Sequence, residues 1–237
     1  MSAIQPLTLR RSLPSSFHPV AERLGDSFVY APLVSPSVRV LGALSDAPWW
    51  LSLQNASWRA PLGPGSTAEP AHPVVHVAHV DAAAFCAAAG KRLPGEREWE
   101  YAARGGLASA RFTWGDEGGD AAVRAHANTF RGIFPWHPEP SVGLRAVGSH
   151  LPNGFGVYDA AGNAWEWTDD DIRQPGGEEA VWRPQRGGSF MCHVRGCYRY
   201  RVAARVAQSP QSTACHVGFR CVADRGTQAY RAACDAQ

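Results

Sequence analysis

The sequence predicts a single domain of mixed α+β class, irregular and rich in loops. Its 237 residues are 45% hydrophobic and 19% charged, as expected of one globular unit large enough to bury a substantial core. With 24 glycines, 18 prolines and nine tryptophans, it has the composition of a turn-rich fold held by aromatic anchors. Segments with helical or strand periodicity are short, and long stretches between them show neither period.

Residues 1–20 read as a loose N-terminal arm, 21–225 as the domain and 226–237 as a C-terminal tail. Residues 61–73, rich in Pro, Ser and Gly, form a surface loop. The segment 72–80 (HPVVHVAHV) alternates and is expected to be a short strand. Asp81 then suits the N-cap of a helix over 82–89, with Gly90 just past its end. A second helix is expected over 94–104, with proline near its start, acids in its first turn, and Arg104 before Gly105-Gly106. Beyond it the chain becomes irregular. Residues 153–167 are loop and short-strand material, 173–179 a Pro/Gly/acid loop, and 217–222 a closing strand.

The formal net charge is +2 and the basic residues are scattered, which is not the footprint of a nucleic-acid binder. No run approaches the roughly 18 apolar residues that span a bilayer, so no membrane partner is expected. The N-terminal sequence lacks the apolar stretch of a secretory signal, and a cytoplasmic location is expected. Six cysteines are too few for a disulfide-built scaffold but enough for a bridge or two, a metal site, or both. Taken by spacing alone, Cys192-x4-Cys197 fits a plain disulfide or two buried thiols as well as a metal site. In an extended segment the two side chains would point to opposite faces, so one shared ion requires a bend at Gly196.

Several segments in order resemble the formylglycine-generating enzyme (sulfatase-modifying factor) family. They are AERLGDSFVY (21–30), APWW (47–50), HPVVHV (72–77), GKRLPGEREWEYAARGG (90–106), PNGFGVYDAAGNAWEW (152–167) and RGGSFMCHVRGCYRYRVAAR with GFRCVAD (186–224). The resemblance implies an irregular C-type-lectin-like α+β fold. It also implies an oxidase that uses molecular oxygen to convert a cysteine in a sulfatase polypeptide, within a Cys-x-Pro-x-Arg segment, into formylglycine. By the same resemblance Cys192 and Cys197 hold Cu(I), with the substrate thiol as a further ligand. Soft thiolates suit that ion, and Arg195, Arg199 and Arg201 could raise the thiolate fraction. The substrate Cβ–H would then lie beside the place where oxygen is reduced.

Carried over residue by residue, Ser189 joins the catalytic pair, and Asp26, Ser27, Trp165, Arg205 and His216 belong to the substrate groove. Asp26 offers an acid for the substrate's arginine, and Trp165 a wall for the copper. His216 stands where an asparagine is usual, and Gly196 where an aromatic is usual. Structural calcium is implied at Asp159, Gly162, Ala164 and Glu166. A second site at Asn128 and Thr129 has its acidic partner in a shortened loop, 138–143, where Glu139 is the substitute. Cys86 and Cys221 match a structural disulfide of some members. That bridge would contribute roughly 4–5 kcal/mol by restricting the unfolded chain. Ala103 and Val202 replace the cysteines of a second bridge, while Cys215 and Cys234 have no counterpart. His72, His76 and His79 could suggest zinc but read as structural histidines. The rival reading is a truncated or repurposed homologue, acting as a peptide-binding module or on another thiol-bearing peptide. It is motivated by the roughly 20 residues before AERLGDSFVY, fewer than the family usually carries there.

Overall fold

A computed structural model describes residues 17–173 and 181–229. The expected 173–179 loop and Cys234 therefore fall largely outside the described residues. A short helix, α1 (Val20–Leu24), ends at Gly25 in the left-handed conformation and leads into β1 (Asp26–Tyr30). Strands β2 (Val40–Leu44) and β3 (Ala47–Gln54) follow, with β3 central in an antiparallel β1-β3-β2 sheet. Asp26 opposes Gln54 and Tyr30 opposes Trp50.

The expected strand over 72–80 is not one. His76 has φ +60°, a left-handed conformation costly for a residue with a Cβ, and it breaks the extension. Helix α2 (His79–Ala88) begins three residues earlier than expected, and Asp81 lies inside its first turn. From there the Asp81 carboxylate accepts from Ala78 N at 2.9 Å and from Val20 N at 3.0 Å, tying α1 to α2. Gly90 has the positive φ (+67°) expected just past the helix end.

Helix α3 (Glu96–Arg104) matches expectation more closely. Glu98 accepts from Gly95 N at 2.8 Å, and Gly105 ends the helix in the left-handed conformation. Helix α4 (Asp120–His126) and the small hairpin β4 (Gly132–Ile133) and β5 (His137–Pro138) come next.

The second sheet is assembled from distant short strands: β6 (Trp165–Trp167), β7 (Ile172–Arg173), β8 (Val181–Arg186), β9 (Arg205–Gln208) and β10 (Val217–Phe219). Strand β6 pairs with β10 in parallel and with β8 antiparallel, and β8 also pairs with β7 and β9. The expected closing strand is thus shorter, with an isolated bridge between Val222 and Arg92 continuing its path.

Alternation along β6 sends its side chains to two places. Trp165 reaches the cavity described below, while Glu166 is buried in an ion pair with Arg220 at 2.5 Å and accepts from Trp99 Nε1 at 2.6 Å. Breaking a buried pair of this kind costs about 3–5 kcal/mol, because one charge is left without its partner.

The expected bridge is present. Cys86 on α2 and Cys221 just after β10 are joined across 135 residues, with Cα atoms 5.6 Å apart. Ala103 and Val202 pack in one apolar cluster with Trp99, where no bridge is needed to fill the space. Among the described residues no helix is long and apolar enough to cross a membrane.

Candidate active site

The cysteine loop leaves β8 through Gly187-Gly188, both at positive φ. A Cβ on Gly188 would meet the Tyr200 backbone at 3.0 Å, so the loop's outgoing and returning arms touch only because no side chain separates them. Phe190 N donates to Asn163 O, and Phe130 N to Cys192 O, both at 2.9 Å, which pins the loop from two sides. A turn then closes with Gly196 N donating to His193 O at 3.2 Å. This is the bend that one shared face for Cys192 and Cys197 requires. A side chain at position 196 would drive into the His193 ring, 2.6 Å from Nε2.

Cys192 and Cys197 are free thiols, the first buried and the second partly exposed, and their sulfurs hydrogen-bond to each other. That bond from Cys192, with Arg199 alongside, brings the Cys197 thiol down to about 7. The same bond and burial push Cys192 well up, so the pair shares one proton between two sulfurs near neutrality. Ser189 also hydrogen-bonds Cys192. Of the three arginines expected to act on the pair, Arg199 does. Arg201 instead donates to Tyr198 O at 2.9 Å, and Arg195 lies beside His193.

Both thiols lie in a cavity of about 570 Å³, together with Ser189, Trp165 and His216. Trp49, Trp50 and Phe134 give it apolar walls. His216 packs against Trp50 with ring centroids 4.5 Å apart, and burial holds its imidazole down to about 3, hence neutral. Two buried lining nitrogens, His216 Nδ1 and Gln185 Nε2, have no hydrogen-bond partner. Buried polar groups are rarely left so.

Three expected groove residues lie outside the lining. Asp26 is held by Ser52 Oγ at 2.5 Å. Arg205 pairs with Glu96 at 3.0 Å, because alternation on β9 turns Val206 and Gln208 inward instead. Ser27 is buried behind the wall, 2.7 Å from Thr213 Oγ1, which does line the cavity.

That contact belongs to a chain of hydrogen bonds that runs back to His76. His76 Nε2 lies 2.9 Å from Pro61 O and must be the donor, since a carbonyl only accepts. Burial brings His76 down to about 4, so the ring is neutral and its Nδ1 accepts from Ser27 Oγ at 2.8 Å. Ser27 Oγ in turn lies 2.7 Å from Thr213 Oγ1, which links the buried histidine to the cavity wall. Thr213 and Gln185 were not foreseen in the sequence, since nothing in their neighbourhoods distinguishes them from ordinary loop and strand residues.

A scan of family models matches residues 14–225 to the sulfatase-modifying factor enzyme 1-like domain. The chain belongs to that family. It is 46% identical over 224 residues to the formylglycine-generating enzyme of Thermomonospora curvata, covering 86% of this chain and 74% of that protein. Against the Bos taurus formylglycine-generating enzyme the identity is 44% over 221 residues, covering 86% of this chain and only 59% of the relative. The family also includes a Mus musculus protein named inactive C-alpha-formylglycine-generating enzyme 2, 40% identical over 215 residues, covering 87% of this chain and 68% of the relative. Among solved structures, PvdO from Pseudomonas aeruginosa superposes with a TM-score of 0.52 at 27% identity, covering 65% of this chain and 62% of that one. The fold is the irregular, C-type-lectin-like α+β arrangement of the sulfatase-modifying factors.

Of the calcium residues, Asp159, Ala164 and Glu166 border one small crevice with Asn163. Asp159 Oδ1 is buried there with His150 Nδ1 3.5 Å away, while the Glu166 carboxylate is engaged by Arg220 and Trp99. Gly162 sits at φ +75° where a Cβ would collide with Asn128 O, so its place in this turn is steric. The three histidines do not converge. His76 serves the Thr213 chain, His79 lies 3.3 Å from Asp169, and the described residues hold no cluster of three metal-ligating side chains.

Proposed function

We propose that this protein activates sulfatases by oxidising a peptidyl cysteine to formylglycine, using molecular oxygen and Cu(I) held by Cys192 and Cys197. The observation that carries the reading is the pair of unbridged, mutually hydrogen-bonded thiols in a large cavity, on a chain of this family. The donor set fits the ion, since two thiolates on one loop are soft ligands and leave room for an incoming substrate sulfur. When bound, copper supplies the electron-transfer chemistry with oxygen.

The chain's own residues do the rest. Cys197, whose thiolate forms around neutrality, and Cys192, once its shared proton leaves, hold the metal. Ser189 hydrogen-bonds the Cys192 sulfur and orients it. Trp165 and Trp50 keep bulk water from the sulfurs. Thr213 Oγ1 accepts from an N–H of the bound peptide, and Gln185 Nε2 donates to one of its carbonyls. A substrate segment of the type Cys-x-Pro-x-Arg would lie across these groups. Its arginine has no acid in the cavity lining, which makes Asp26 a partner only if Ser52 releases it. Structural calcium at Asp159, Gly162, Ala164 and Glu166 would brace the turn before β6.

The test is incubation with Cu(I), oxygen and a Cys-x-Pro-x-Arg peptide, followed by mass spectrometry. Conversion of the thiol to an aldehyde is expected. A folded, copper-loaded protein that leaves the peptide unchanged would remove the oxidase reading and favour a peptide-binding module.

A further inference from the structure

The second expected calcium position does not have the surroundings a cation needs. Asn128 and Thr129 border a polar cavity of about 330 Å³ whose lining also includes Arg124, Arg131, Arg145 and His150. No carboxylate is among the described residues that line it. Glu139, expected to replace the missing acid, is not in the lining and lies near Arg124 instead. Calcium takes six to eight oxygen ligands, carboxylates prominent among them. Here it would face guanidinium groups, and the residues do not fit it.

The charge is partly balanced from outside. Asp120 pairs with Arg124 at 2.6 Å and with Arg131 at 2.7 Å, and His150 Nδ1 stands 3.5 Å from Asp159 Oδ1. Asp120 is 68% exposed, so much of its field is spent on water. Arg145 has no such balance. Its backbone is fixed to the Asn163 amide by bonds of 3.0 and 3.2 Å, yet its guanidinium has no ion pair or hydrogen bond among the described residues. A guanidinium carries donors in a planar fork that matches the oxygens of sulfate or phosphate, and several converging on one space favour an anion there.

We propose that this cavity is a binding site for a tetrahedral oxyanion, sulfate or phosphate, with Arg145, Arg131 and Arg124 as its cationic partners, in the place expected for calcium. The volume exceeds that of a bare ion, so bridging waters complete its shell from Thr129 and Ser141. The site is separate from the cysteine cavity, and no lining residue is common to the two.

The test is calorimetric titration of the full chain with sodium sulfate and with sodium phosphate, each against sodium chloride at equal ionic strength. Saturable binding above the chloride control is expected, weakened about tenfold or more in Arg145→Ala. That variant should keep the wild-type melting temperature in chloride, since only its free guanidinium is lost. Arg124→Ala provides a second variant, on helix α4. Heats no larger than those of chloride, or equal affinity in wild type and both variants, would overturn the proposal. Calcium binding that Arg145→Ala strengthens would also overturn it, by showing that a cation occupies the cavity.

Discussion

Cys86 and Cys221 lie 135 residues apart and are joined, whereas Cys192 and Cys197 share one short loop and are not. The closed pair is packed in one cluster with Phe85 and Phe219, between a helix and the end of a strand. The open pair sits where a loop doubles back, with a serine on one sulfur, an arginine beside the other and a cavity in front. Sequence distance is therefore a poor guide to which cysteines react. Both pairs touch one apolar cluster, and what separates them is the serine and arginine beside the second pair and the cavity in front of it.

The comparison breaks most sharply under substitution. Cys192→Ser or Cys197→Ser should abolish peptide conversion and tight Cu(I) binding while changing the melting temperature little. Cys86→Ala with Cys221→Ala should do the reverse, lowering unfolding free energy by about 4 kcal/mol in urea titrations and leaving turnover per folded molecule intact. If the bridge variant loses copper, or the loop variants lose stability to the same extent, the division of labour is wrong.

A smaller effect is expected from Ser189→Ala. One hydrogen bond to a charged sulfur is worth about 1.5–3 kcal/mol, so conversion should fall by about tenfold or more with the fold unchanged. Thr213→Val should raise KM by a few-fold and spare kcat, because it removes one acceptor for the bound peptide.

The mildest contrast is one of reactivity. In the metal-free protein, alkylation of Cys197 by iodoacetamide should rise through about pH 7, where its thiolate forms, rather than near the usual thiol value. Cys215, buried and pushed up to about 12, should remain unlabelled across the same range. Peptide mapping of the alkylated protein distinguishes the two, and equal labelling would show that the Cys192 bond and Arg199 do not tune the loop.

Much of this was legible in the sequence where the signal is local. Helix α3 is announced by Pro94, Glu96, Glu98 and Gly105 because capping acts over one turn. The stretch before α2 misled, since HPVVHV alternates like a strand. All of Val74, Val75, His76 and Val77 are buried, however, so the pattern does not mark one exposed and one buried face. The cysteine cavity was legible only in part. Ser189, Trp165 and His216 stand in recognisable segments, whereas Gln185 and Thr213 reach the cavity through strand register and a loop approach that no local pattern encodes. Asp26 and Arg205 stand in equally recognisable segments, yet Ser52 and Glu96 hold them away from the cavity lining. The arginine-lined cavity was missed because its members lie on a helix, a hairpin and a loop, each ordinary alone.

Strand β6 has a consequence for anyone who would retune the peptide preference. Its three residues serve two clients, with Trp165 lining the cavity and Glu166 gripping Arg220 and Trp99 behind it. A change of backbone on one side is felt at once on the other, so the strand is a poor place to engineer. Leu44 and Gln208 also line the cavity but are exposed and belong to neither large apolar cluster. Variation for a different substrate has most freedom there, on the wall with a single duty.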